Sequence, residues 1–242
     1  MNRTMKGKLY LIPSPLGDSP LEMVVPAGVE SIVNRLDYFI VENVRTARRY
    51  IRKLVPDKPI DPLTFYTLNK HTRAGEIAGF MAPLEQGHDM GLLSEAGVPG
   101  IADPGEEAVA EAQRKGIAVV PLTGPSSIIL ALMGSGLNAE KFTFNGYLPI
   151  KSGDRIRKIN ALEKKSRNEG QTQIFMETPY RNDKLLANIV AQCMEDTWLC
   201  IASDITTESE FIRTQSIRDW KKQLPDLHKK PTIFILSVDS KH

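Results

Sequence analysis

Three Gly- and Pro-rich segments carry the residue types best suited to gripping a ligand at close range: Pro13–Asp18 (PSPLGD), Ser94–Gly105 (SEAGVPGIADPG) and Thr123–Ser127 (TGPSS). Each follows a short apolar run. Glycine and proline set sharp turns and let a backbone approach a bound molecule closely, while Ser, Thr and Asp orient backbone N–H groups or cap a following helix. Any one such segment is ordinary turn chemistry; three at strand ends are a candidate site. No GxxxxGK(S/T) is present, and GxGxxG does not follow the first strand, so neither common phosphate cradle is predicted. Pro13 and Pro15 also lack the N–H groups a phosphate would use. The expectation is an adenosine-type ligand held by shape and a few backbone contacts.

Titratable residues stand beside these turns. Glu42 closes a second apolar run, where it serves as a base or hydrogen-bond acceptor or as an acid complementing a helix N-terminus. Arg45 follows one helical turn later, placed to pair with Glu42 or to hold an acceptor phosphate; a plain surface ion pair is the alternative. Glu177 and Arg181 flank Pro179 in a similar couple. Asp103 reads as a cap for a helix starting at Pro104.

These positions need a framework, and the pattern of the chain supplies one. Strands are expected at 8–12, 38–41, 64–68, 90–94 and 117–122, with helices at 21–36, 46–54, 72–86 and 105–115 between them. Short aliphatic runs alternating with helices argue for a parallel sheet covered on both faces. After a helix at 126–137, strands are expected at 142–145, 173–176, 199–203, 210–214 and 232–238, and helices at 154–168, 182–194 and 217–224. Several late strands follow one another directly, so the second sheet should be partly antiparallel. Two α/β domains, 1–122 and 123–242, are expected.

Composition narrows the class. The chain has 242 residues, 41% hydrophobic and 25% charged, with a net charge of +2 that implies no partner. Cys193 and Cys200 lie in apolar segments and read as small buried side chains. His71, His88, His228 and His242 share no ligand spacing, so no metal site is expected. The amino-terminal MNRTMKGKLYLIPSP lacks a signal-type apolar region, and no run approaches the ~20 apolar residues of a membrane span; a cytoplasmic protein is expected. Basic residues gather as Arg45, Arg48, Arg49, Arg52 and Lys53, as Lys151, Arg155, Arg157 and Lys158, and as Lys164, Lys165 and Arg167. On a helix the first group shares one face, which suits an RNA backbone or is simply solvated.

Read together, seven segments resemble the tetrapyrrole methylase superfamily, in the branch whose members methylate a ribose of small-subunit ribosomal RNA. They are LYLIPSPLGD, VENVR (41–45), SEAGVPGIADPG, PLTGPSS (121–127), GYLP (146–149), ETPYR (177–181) and ASDITTESE (202–210), in that order. The resemblance implies two α/β domains with S-adenosylmethionine in the cleft between them, usually in a homodimer, and RNA or the small ribosomal subunit as acceptor. Carried over by position, Leu16, Glu95, Val98, Ser126, Ser127, Ile128, Met176, Ala202, Pro231 and Thr232 would bind the donor. Glu42, Arg45, Glu177 and Arg181 remain the catalytic and acceptor-side candidates. The chain departs from the family pattern at Asn43, Tyr180, Ser203 and Thr207, where an Asp, a His, an Arg and a Lys are usual. Methylation of a tetrapyrrole or another small molecule, and a silent donor-binding module, are the other readings.

Overall fold

The computed structural model describes residues 5–69 and 71–238. Met1–Thr4, at the head of the amino-terminal segment, and His242 lie outside the described residues. The chain divides into two compact units, with the break between Ser126 and Ser127.

The first unit is built on five parallel strands: β1 (Lys8–Ile12), β2 (Tyr38–Val41), β3 (Thr64–Thr67), β4 (Met90–Leu93) and β5 (Ala118–Pro121), in the order β3-β2-β4-β1-β5. Strands this apolar are covered on both faces. On one face Tyr10, Ile12, Phe39, Val41 and Leu93 pack against Val29 and Val33 of α2 (Ala27–Asn34) and Ala47, Ile51 and Leu54 of α3 (Val44–Leu54). On the other, Leu9, Ile40, Met90 and Leu92 meet Ile77, Met81 and Leu84, and also Ala108 and Ala112 of α6 (Gly105–Arg114).

Two expected helices are each split by a proline. The segment from Leu21 forms α1 (Leu21–Val24), then an extended Val25, then α2, because Pro26 pushes the residue before it out of the helical region. The segment at 72–86 becomes α4 (Ala74–Phe80) and α5 (Ala82–Glu85), since Pro83 cannot donate the bond that would continue the first helix.

The second unit opens with α7 (Ser127–Ser135) and continues β6 (Phe142–Tyr147), α8 (Ser152–Glu169), β7 (Thr172–Met176), a 3₁₀ turn (Pro179–Arg181), α9 (Asn182–Gln192), β8 (Trp198–Ser203), β9 (Phe211–Ser216), α10 (Ile217–Trp220) and β10 (Thr232–Ser237). Its sheet runs β6-β7-β10-β8-β9 and is mixed: β6 and β7 are parallel, the other pairs antiparallel. Phe175 and Phe234 stack 6.0 Å apart on one face and join Ile201, Leu236 and Trp220 in the core. On the second sheet Thr214 donates to the Ser135 carbonyl at 2.7 Å, fixing the end of α7.

Arg155, one of the second cluster of bases in the sequence, does not lie on the surface. It is 2% exposed and donates to the Ile150 carbonyl and the Asn188 side chain, so it is an internal brace. Helical periodicity turned it inward, which a simple count of bases ignores. Arg157 pairs with Asp154 and Arg167 with Asp196.

Candidate active site

The turns after β1, β4 and β5 are stacked on one another in the first unit. Ser14 and Gly97 form an isolated antiparallel bridge, and the Ser14 hydroxyl donates to the Ser94 carbonyl at 3.0 Å. Gly97 has φ +76°, and a Cβ there would lie 3.2 Å from Leu16 Cδ2 and 3.4 Å from the Pro125 carbonyl. Gly124 lies so close to Pro13 that an added Cβ would meet the proline Cβ at 2.0 Å. Only glycine permits both approaches. Asp103 holds the fourth-strand turn shut, accepting from the N–H groups of Gly100 and Gly105, both at 2.8 Å. It therefore caps α6, as the sequence led one to expect, and also ties the turn to itself.

Beside these turns lies a recess lined by Ser14, Pro15, Glu42, Asn43, Thr46, Tyr50, Ser94 and Glu95. Asn43 caps α3 by accepting from Arg45 N–H at 2.9 Å, a role an Asp would fill equally, so the amide keeps this local geometry. The Thr46 hydroxyl donates to Glu95. The Tyr50 hydroxyl donates to the Pro13 carbonyl at 2.7 Å, and burial raises its pKa. Glu42 borders both this recess and a second one that reaches Asp103. Partial burial raises the Glu42 pKa, and the charges of Glu95 and Asp103 raise it further. Glu42 thus sits among carboxylates: among the described residues no ion pair joins it to Arg45.

Arg45 instead faces outward with Arg48, Arg49 and Arg52 along α3, opposite its buried Ala47, Ile51 and Leu54. Arg48 pairs with Asp61 at 2.5 Å.

Of the other first-unit positions, Leu16 and Val98 are half-buried, Glu95 is exposed and Ser126 is half-buried. In the second unit Ser127 is half-buried and Ile128 buried, both on the first turn of α7. Met176 and Ala202 each lie opposite Ile233 in the sheet register, so the three form one row across β7, β10 and β8. Ile233 was missed by sequence reasoning, because register is invisible until strands pair. Thr232, one residue earlier, lies opposite Ser203 and donates to the Lys230 carbonyl at 2.9 Å. The Pro231 carbonyl accepts from Asp204 N–H at 3.0 Å.

Glu177 follows β7 and is 4% exposed. Its Oε1 accepts from Arg181 at 2.6 Å and from Thr178 N–H at 2.7 Å, so the expected Glu177–Arg181 couple is formed. Thr46 and Tyr50 are also additions to the sequence reading, whereas Ser14 and Ser94 lie in turns that the sequence singles out. Thr46 and Tyr50 are one helical turn apart on α3, a spacing that could have revealed them.

A parallel sheet whose strand-end turns frame an acidic recess, followed by a mixed sheet, defines a protein of α/β construction with two units. The sequence model of the tetrapyrrole (corrin/porphyrin) methylases matches residues 8–220, and the chain belongs to that family. Ribosomal RNA small subunit methyltransferase I of Escherichia coli O157:H7 is 29% identical over 234 residues, covering 96% of this chain and 78% of that protein. The protein of the same name from Vibrio cholerae serotype O1 is 32% identical over 205 residues, covering 85% and 67%. Among solved structures, the methyltransferase CobJ aligns with a TM-score of 0.62 at 15% identity, covering 96% of this chain and 94% of that one. The cobalt precorrin-4 methyltransferase CbiF aligns at 0.59 and 14% identity, covering 96% of each. These two share the fold.

The protein is an S-adenosylmethionine-dependent methyltransferase. Glu95 and Asp103 lie within electrostatic reach of Glu42, a field that favours a cation.

Proposed function

We propose that the protein methylates the 2′-hydroxyl of a ribose in ribosomal RNA. The observation that carries this reading is the match, across 96% of the chain, to relatives named ribosomal RNA small subunit methyltransferase I. The arginine face of α3 supports it, since a polyanion needs such a surface. The work is assigned to the cytoplasm and to a homodimer.

Donor binding is assigned to Leu16, Glu95, Val98 and Ser126 of the first unit. Ser127, Ile128, Met176, Ala202, Pro231 and Thr232 are the second unit's share. When bound, S-adenosylmethionine supplies an electrophilic methyl group on sulfur and leaves as a neutral thioether. A ribose hydroxyl is a poor nucleophile at neutral pH, so it needs a proton acceptor as it reacts. Glu42 takes that proton; its raised pKa makes it a better base than an ordinary exposed carboxylate. Arg45, in the first turn of α3, holds a phosphate of the acceptor strand. Glu177 orients Arg181, which steadies the acceptor from the second unit. Alignment of this kind contributes up to ~7–11 kcal/mol in well-oriented systems.

The acidic recess also distinguishes donor from product. Methyl transfer removes the sulfonium charge, so the carboxylates lose an attraction at the moment the product must leave.

The test is incubation of the protein with labelled S-adenosylmethionine and small ribosomal subunits from cells lacking the gene. Label recovered in a 2′-O-methylated nucleoside is expected. Label on a base, or none in RNA, would sink this assignment while leaving the donor intact.

A further inference from the structure

The strand-end region of the second unit gathers aromatic and basic side chains that are remote in sequence. Tyr180 is 72% exposed and Tyr147, at the end of β6, is 56% exposed. The His228 ring meets Tyr180 edge-on at 6.0 Å, and the Lys229 ammonium sits 6.0 Å from the centre of the same ring. The Arg181 guanidinium is within electrostatic reach of the Tyr147 phenol.

This group stands on a fixed base. Lys229 N–H donates to the Pro179 carbonyl at 3.2 Å, and the Asn182 side chain donates to the Lys230 carbonyl at 2.6 Å. Lys229 itself is held at φ +61°, a conformation a non-glycine residue adopts only under constraint. The neighbouring acids are engaged by backbone: Asp183 accepts from Leu227 N–H at 3.0 Å and Asp226 from His228 N–H at 3.0 Å. In the same segment Glu177 Oε2, Arg181 Nε and Asn182 Oδ1 are buried without a hydrogen-bond partner in the protein. A large exposed ring on a turn tied down by hydrogen bonds, beside cations, has the features of a binding platform.

We infer that Tyr180, flanked by His228, Lys229, Tyr147 and Arg181, is a stacking platform for an unpaired RNA nucleotide, with Lys229 and Arg181 on its phosphates. Every base offers a π-face, so a tyrosine ring binds unpaired nucleotides with little sequence preference. Sequence-specific and single-stranded RNA contacts use splayed bases on such rings. The inference rests on the RNA reading and names where the acceptor strand is held.

The experiment measures binding of a fluorescent single-stranded RNA oligonucleotide by anisotropy over a range of salt. Tyr180→Ala should weaken binding by roughly 5- to 150-fold, the range expected for losing one base–aromatic stack. Tyr180→Phe should bind like the parent, because the π-face remains. Lys229→Gln should flatten the log–log salt dependence by about 0.7. Melting temperature and calorimetric titration with S-adenosylmethionine report folding independently of RNA. If the parent binds and methylates RNA and Tyr180→Ala binds it equally well, the platform is wrong and the RNA reading stands. If the parent neither binds nor methylates RNA, both fall.

Discussion

Ser14 and Gly97 exchange both of their backbone hydrogen bonds, Ser14 N–H donating to the Gly97 carbonyl at 2.8 Å and Gly97 N–H to the Ser14 carbonyl at 3.0 Å. The chain leaving β1 and the chain leaving β4 depart over opposite faces of the sheet, and this bridge fastens them where they pass. A change at either residue is therefore felt by both turns.

Gly97→Ala tests that coupling. The alanine would sit at φ +76° with Leu16 and the Pro125 carbonyl against its Cβ. A loss of about 1–3 kcal/mol is expected from the backbone strain, read by thermal denaturation. Weaker calorimetric binding of S-adenosylmethionine should accompany it. A variant as stable as the parent would contradict the close approach.

Glu42→Gln separates function from stability. If Glu42 takes the proton as proposed, the substitution should lower turnover by roughly 10²–10⁴-fold. Because burial and like charges raise the Glu42 pKa, its ionised form destabilises the folded protein. The sign follows: the folded state gains from Glu42 only at acid pH and loses as pH rises through the carboxylate range. The variant should thus melt higher than the parent at neutral pH, with the difference closing in acid. A lower melting temperature at neutral pH would count against this field.

Asp103→Asn and Asp103→Ala distinguish charge from capping. Asparagine keeps an oxygen for the Gly100 and Gly105 N–H groups and should cost little stability, whereas alanine should cost about 1–2 kcal/mol. Both remove a charge that raises the Glu42 pKa. The acid limb of the pH–rate profile should move to lower pH in the asparagine variant, and an unmoved limb would show that Glu42 is not the titrating group.

Arg181→Met leaves the Glu177 carboxylate buried without its counter-ion. A destabilisation is expected, smaller than for a fully buried pair because Arg181 is partly exposed. Adding Glu177→Gln should recover part of it, since the residual penalty is an uncompensated charge. Denaturant titration of the four proteins gives the coupling directly.

Neutralising Arg45, Arg49 and Arg52 together leaves the core side of α3 untouched. RNA affinity should fall, and its log–log salt slope should flatten by about 0.7 for each single-strand phosphate that is no longer neutralised. An unchanged slope would mark this face as merely solvated.

Much of this molecule was readable before folding. KLYLI, YFIV and MGLL announce strands buried on both faces by their unbroken apolar character, and the turns after β1, β4 and β5 declare themselves by their glycines and prolines. The i, i+4 couple of Glu177 and Arg181 was legible too, because it is local. Local chemistry is written in local spacing. The row formed by Met176, Ile233 and Ala202 could not be read, since a one-residue shift in pairing would replace every member. Nor could the carboxylates that press on Glu42, or the meeting of Tyr180 with His228 and Lys229, be found in the order of residues. Arg155 counted as a surface base until packing turned it inward. The amino-acid order thus determined the elements, their turns and the family, while tertiary packing alone chose each side chain's neighbours. The reason is physical: propensity and turn geometry act over a few residues, but electrostatic fields and ring contacts depend on distance in space.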